Sequence, residues 1–126
     1  MSRSGYSCDY DNSEGNLWRG AVASAIRCRR GQSFLNEMLS ALDALPEKKL
    51  VASALEDDGH VCAIGAVGKA RGVDMSTVDP EDGEAVATKF GIAHVLACEI
   101  AFMNDEYPWK PENQEERFVR MRKWVA

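Results

Sequence analysis

From residue 16 onward, apolar side chains recur mostly at steps of three and four, the spacing that stacks them along one face of an α-helix. Trp18, Val22, Ala25 and Ile26 make the first stripe, with Arg19, Arg27 and Arg30 falling mostly off it. Gly31 suits the left-handed position after a helix, and the basic residues before it complement the negative end of the helix dipole. Ser33 is then placed to cap a second helix, whose Leu35, Met38, Leu39, Leu42 and Leu45 form a clean apolar face closed by Pro46. A gap of a couple of residues predicts that these two helices pack as a helical hairpin.

The pattern is less decisive from residue 47 to 72. Residues 50–55 and 60–62 are apolar runs on either side of Glu56, Asp57, Asp58 and Gly59, so this stretch reads either as a short β-hairpin around an Asp-Gly turn or as a helix followed by a loop. Small residues dominate from Cys62 to Gly72, with Gly65 and Gly68 suited to close backbone approach and Gly72-Val73 to a helix stop. Asp79, Pro80, Glu81 and Asp82 predict a helix start, with Asp79 as cap and Pro80 in the first position. Ala85, Val86 and Phe90 follow, Gly91 is a breaking or kinking point, and Ile92, Val95, Leu96, Ile100 and Met103 continue at helical spacing. Asn113 with Glu116 predicts a capping box for a last helix that buries Phe118, Met121, Trp124 and Val125.

Together these elements predict a mainly α fold: a compact bundle of about five helices, with the one candidate hairpin near residues 50–62. Residues 1–15, rich in Ser, Gly, Asp and Asn, read as a flexible arm that Tyr6 and Tyr10 could dock, and residues 16–126 as a single helical domain.

Composition narrows function by exclusion. Twenty acidic against fifteen basic residues give a formal charge of −5, which disfavours general affinity for a nucleic-acid backbone. Cys8, Cys28, Cys62 and Cys98 form no C-x-x-C pair, and no apolar run is long enough for a membrane span. The expectation is a cytoplasmic protein with reduced thiols that fill its core.

Candidate chemistry is sparse. Cys62 lies two residues from His60, and His94 and Cys98 are four apart on a predicted helix, so either pair could join a nucleophile to a base; the simpler expectation is a core thiol at Cys98 beside a partly exposed His94, and a surface residue at His60 after the turn glycine. Asp57, Asp58 and His60, or Asn104, Asp105 and Glu106, supply metal-type donors, but consecutive donors do not converge without a wrapped loop, and no metal is expected. Neither phosphate-loop glycine pattern is present, and no cofactor is expected. Two basic clusters remain, Arg27, Arg29 and Arg30 in one and Arg117, Arg120, Arg122 and Lys123 in the other. The loop with Asp105, Glu106, Tyr107 and Trp109 mixes acids and aromatics between prolines, a composition suited to an interface. Partner-binding candidates are therefore Asp105, Glu106, Tyr107, Trp109, Arg27 and Arg30.

The run G-H-V-C-A-I-G-A-V-G-K-A-R-G-V-D-M from Gly59, followed by D-P-E-D, F-G-I-A-H, N-D-E and E-E-R-F-V-R-M-R-K-W-V, resembles uncharacterised small proteins of phages and prophages. A looser likeness, through G-x-x-C-x-x-G-A and a later Asn-Asp, is to bacterial proteins of unknown function. The resemblance covers most of the chain after residue 16 and implies a mobile-element setting, without an activity. The leading expectation is thus a non-enzymatic phage accessory protein that binds a host protein or complex, such as a CRISPR effector, with a homodimer left open and no membrane partner. The alternatives are a small-ligand binder or enzyme with a pocket near Cys62 and His60, and a DNA-binding module built on the first two helices.

Overall fold

The structure is a computed structural model that describes residues 12–106 and 111–126, and the side chains of the first helix from Arg19 onward. Among these residues the order is α1 (Asn12–Arg27), α2 (Arg29–Ala44), β1 (Glu56–Asp57), β2 (His60–Val61), α3 (Ala63–Arg71), α4 (Gly83–Phe90), α5 (His94–Asp105) and α6 (Gln114–Val125). The fold is mainly α with one short hairpin, and residues 1–11 of the expected arm lie outside the described residues.

The first helix begins at Asn12, four residues ahead of the apolar stripe, and ends earlier than expected. The break falls at Cys28 rather than Gly31, and α2 is capped by Cys28 rather than Ser33. The Cys28 thiol donates to the Ala25 carbonyl at 3.2 Å and accepts the Gly31 N–H at 3.3 Å, serving the end of one helix and the start of the next. Gly31 is needed here for space, not for a left-handed turn. A Cβ on it would lie 1.9 Å from the Ala25 carbonyl oxygen, so only glycine lets the first turn of α2 cross the last turn of α1 this closely.

The hairpin alternative holds for the 47–62 stretch, but it is shorter than the apolar runs suggested. Glu56 pairs with Val61 and Asp57 with His60 across Asp58 and Gly59, both at positive φ (52° and 81°), as a two-residue primed turn requires. Residues 50–55 are not strand. They are tied by Leu50 N–H to the Gln114 carbonyl at 3.0 Å and Val51 N–H to the Val61 carbonyl at 3.0 Å.

Helix α3 is the centre of the molecule, with every residue from Ala63 to Gly68 buried. Its small side chains are what permit this. A Cβ on Gly65 would sit 2.0 Å from the Leu55 carbonyl oxygen, and one on Gly68 would sit 2.5 Å from the Met75 sulfur. Gly72 ends the helix at φ 71°, and Val73 N–H reaches back to the Gly68 carbonyl at 2.9 Å, the stop that Gly72-Val73 predicted.

The expected start at Asp79 is displaced. Asp79 closes a turn by accepting Glu81 N–H at 2.9 Å, and α4 begins three residues after Pro80, capped by Asp82 through Ala85 N–H at 3.1 Å. Gly91 breaks the rod outright, and α4 and α5 meet at 109°. No single helix among the described residues is long and apolar enough to cross a membrane. The capping box of Asn113 and Glu116 forms as predicted. One core unites the elements: Met38 and Leu42 of α2, Leu50 of the loop after it, Ile64 and Val67 of α3, Leu96 and Ile100 of α5, and Met121 of α6 are all at most 2% exposed.

Candidate functional site

The polar groups divide into those the fold consumes and those it leaves at the surface. Asn104, 1% exposed, belongs to the first kind: its Oδ1 accepts Ala63 N–H at 3.1 Å, and its Nδ2 donates to the Val51 carbonyl at 2.9 Å and to Asp105 Oδ1 at 2.8 Å. It ties the end of α5 to the start of α3 and to the loop before the hairpin. Asp105 also accepts Ser53 N–H at 3.1 Å, so this candidate partner residue holds its own chain. Glu106 is half-buried and closes α5 by donating its N–H to the Phe102 carbonyl at 2.8 Å. Tyr107 and Trp109, the aromatic candidates of that loop, lie outside the described residues.

The basic cluster of α6 is likewise largely spent internally. Arg120 donates to the Met103 and Asn104 carbonyls, and Arg117 to the Asn104 and Leu50 carbonyls at 3.1 and 3.0 Å, which satisfies the exposed end of α5. Glu112, with a side chain only 9% exposed, neutralises both, at 2.6 Å from Arg120 and 3.4 Å from Arg117. Arg122 grips Asp43 of α2 with two bonds of 2.6 and 3.1 Å and holds that carboxyl below its usual range. Arg71 of α3 does the same to Glu37 at 2.7 and 2.6 Å, donates to the Phe90 carbonyl, and lies over the Phe34 and Phe90 rings.

The second kind is concentrated at the corner between α1 and α2. Arg27 ends α1, and Arg29 and Arg30 open α2; all three are exposed and have no hydrogen-bond or ion-pair partner among the described residues. The first turn of α2 contains no acidic residue. Two guanidinium groups therefore add to the positive end of the helix dipole, against the usual preference for acids there. Arg27 and Arg30 thus flank the α1–α2 junction, with Arg29 between them in the chain.

The nucleophile candidates are placed unfavourably for catalysis. Cys62 is 1% exposed and caps α3 by accepting Gly65 N–H at 3.3 Å. Cys98 and His94 do share a face, and both would lie within about 3 Å of a Cβ on Gly83. Burial, however, pushes the Cys98 thiol up to about 11, so its thiolate is scarce at neutral pH. Cys28 is exposed but engaged as the double cap described above. Among the described residues no group of three His, Cys, Asp or Glu side chains is placed to hold a metal ion.

A depression of about 310 Å³ does open beside His60, although not beside Cys62. Leu45, Pro46 and Val61 supply its apolar wall, and Glu47, Lys49, Asp58, His60 and Lys69 its charged one. His60 Nε2 lies 3.0 Å from Glu47 Oε2, and Lys49 Nζ lies 3.9 Å from the same oxygen. The His60 hydrogen bond first, then the charges of Lys49 and Lys69, hold the Glu47 carboxyl below its usual range.

Sequence reasoning missed Asn104 as a clamp and Glu47 as the partner of His60 and Lys49. For Asn104 there was no local signal, because the backbone groups it binds are 41 and 53 residues away. For Glu47 there was no local signal either, because His60 is 13 residues away across the hairpin turn. Comparison of the chain with family models, curated proteins and solved structures returned no match, so function is argued from the geometry above.

Proposed function

We propose that this protein is a non-enzymatic binding module that docks an acidic protein surface through the corner formed by Arg27, Arg29 and Arg30. The observation that carries the reading is a contrast within one residue type. Arg71, Arg117, Arg120 and Arg122 each hold a carboxylate or carbonyl of their own chain, whereas the three corner arginines are exposed and hold none among the described residues. A charge of the wrong sign in a first turn costs about 0.3–1 kcal/mol in the isolated protein, and an acidic partner turns that cost into attraction. Guanidinium suits such a surface because its planar fork binds a carboxylate through two bonds at once. The overall charge of −5 turns a phosphate backbone away, and two like-charged corners repel each other, which disfavours a second copy of the chain as the partner.

The resemblance to phage and prophage proteins supports a host-cell setting. On this reading the protein works in the host cytoplasm as an accessory factor, and its target is a host protein or complex of the defence type, such as a CRISPR effector. The test is capture from host lysate with the wild-type chain and with a variant carrying Arg27→Glu, Arg29→Glu and Arg30→Glu. The expected result is a stoichiometric acidic partner that the variant loses and that 0.5 M salt weakens. Retention of the same partner by the variant, or recovery of nucleic acid in its place, contradicts the reading.

A further inference from the structure

The depression beside the hairpin has a feature that solvated surface charges do not require. Three basic side chains from three separate elements converge on one carboxylate: Lys49 from the loop after α2, His60 from β2 and Lys69 from the last turn of α3. That carboxylate, Glu47, sits on an exposed loop with its side chain 61% accessible, and exposed pairs of this kind are worth little. Glu47 can therefore swing out at small cost, leaving a charged wall of Lys49, His60 and Lys69, with Asp58 as the one remaining carboxylate, that faces the apolar wall of Leu45, Pro46 and Val61. Leu45 and Val61 are fixed core residues, 7% and 2% exposed, so the apolar wall does not collapse when Glu47 leaves. The combination of an apolar wall with a few convergent polar groups is that of a small-molecule site. A volume of about 310 Å³ corresponds to about ten water molecules, enough for an aliphatic acid of four to six carbons.

We propose that this depression binds a small aliphatic carboxylate, whose oxygens take the place of the Glu47 carboxylate against His60, Lys49 and Lys69 while its alkyl body lies on Leu45, Pro46 and Val61. Glu47 is the internal stand-in for the ligand and competes with it. The site is independent of the arginine corner: neither Arg27, Arg29 nor Arg30 lines it.

The test is a two-dimensional amide NMR titration of the whole chain with butyrate, and separately with inorganic phosphate, at constant ionic strength. Butyrate is expected to give saturable shifts at Gly59, His60, Val61 and Lys69. Glu47→Gln, which removes the competitor, should tighten butyrate, and Lys69→Gln should weaken it, each by about threefold, the worth of one exposed ion pair. Both substitutions fall at exposed positions, and unchanged thermal melts confirm that each variant is folded. Butyrate shifts that rise linearly without saturation, saturation by phosphate alone, or Glu47→Gln leaving butyrate affinity unchanged would each overturn the proposal.

Discussion

Asn104→Ala is the sharpest test of how the end of α5 is held to α3 and to the loop before the hairpin. The side chain is 1% exposed and supplies the acceptor for Ala63 N–H at 3.1 Å and a donor to the Val51 carbonyl at 2.9 Å. Ala63 is itself fully buried and Val51 only 6% exposed, so water does not readily replace the lost partners. Each buried backbone group left without a partner costs about 1–3 kcal/mol, which sums to roughly 2–6 kcal/mol for the two. For a domain of this size a change of 1 kcal/mol moves the melting temperature by about 4 °C, so the variant should melt about 8–24 °C below the wild type. Chemical and thermal unfolding by circular dichroism measure both quantities. Asn104→Asp refines the test, because it keeps the shape and the acceptor but points a second carboxylate oxygen at the Val51 carbonyl and Asp105 Oδ1, 2.9 and 2.8 Å from the present nitrogen. Burial beside oxygens raises the folded-state pKa of such an acid, so its penalty is present in full above that raised value, fades as pH falls through it, and is gone below the unfolded-state value. An Asn104→Ala cost under about 1 kcal/mol, or an Asn104→Asp penalty that grows on acidification, would refute the clamp.

Three further outcomes follow from the same geometry. Gly20→Ala, on an exposed helical position with nothing within 4 Å, should stabilise by about 0.5–1 kcal/mol, whereas Gly65→Ala, which drives a Cβ to 2.0 Å from the Leu55 carbonyl oxygen, should destabilise by about 1–3 kcal/mol despite the same gain in helix propensity; urea melts of both report the sign. In a Cys8→Ser background, thiol titration at pH 7.4 should label Cys28 first, with Cys62 and Cys98 reacting only on unfolding, because both are buried and the Cys98 thiol is pushed up to about 11. The Arg71 hydrogen bonds hold Glu37 below its ordinary value of 4.5, so that pair contributes stability above this pH and loses it as pH falls through the depressed value; Arg71→Ala should flatten the stability profile below pH 4.5, measured by urea midpoints.

The parts of the fold that were legible in the sequence are those fixed by local chemistry. The stripe Leu35, Met38 and Leu42, the Asn113 and Glu116 box, and the Gly72-Val73 stop all act within a few residues, and each formed as the pattern predicted. Errors arose where distant groups decide. Gly31 was read as a terminator because nothing in the sequence reveals that the α1 backbone would lie against it, and a cysteine is a rare cap, so Cys28 went unnoticed. Asp79 and Asp82 both satisfy cap chemistry, and the choice between them was made by a turn that Asp79 closes itself. At the site, the basic charge of α6 was plain, but its use was not: Arg117 and Arg120 are absorbed by the α5 carbonyls and Glu112, which only the packing of α6 on α5 reveals. The arginines at positions 27, 29 and 30 were legible as a cluster, and the structure adds that they lack partners among the described residues.

The central claim, that the α1–α2 corner is the docking surface, is tested most directly by hydrogen–deuterium exchange of the protein alone and in complex with its captured partner. The account predicts that added protection centres on residues 24–33, across the junction of the two helices, and disappears when the complex is dissociated by salt. Protection confined to α6 or to the hairpin, with the junction exchanging as in the free protein, would contradict it.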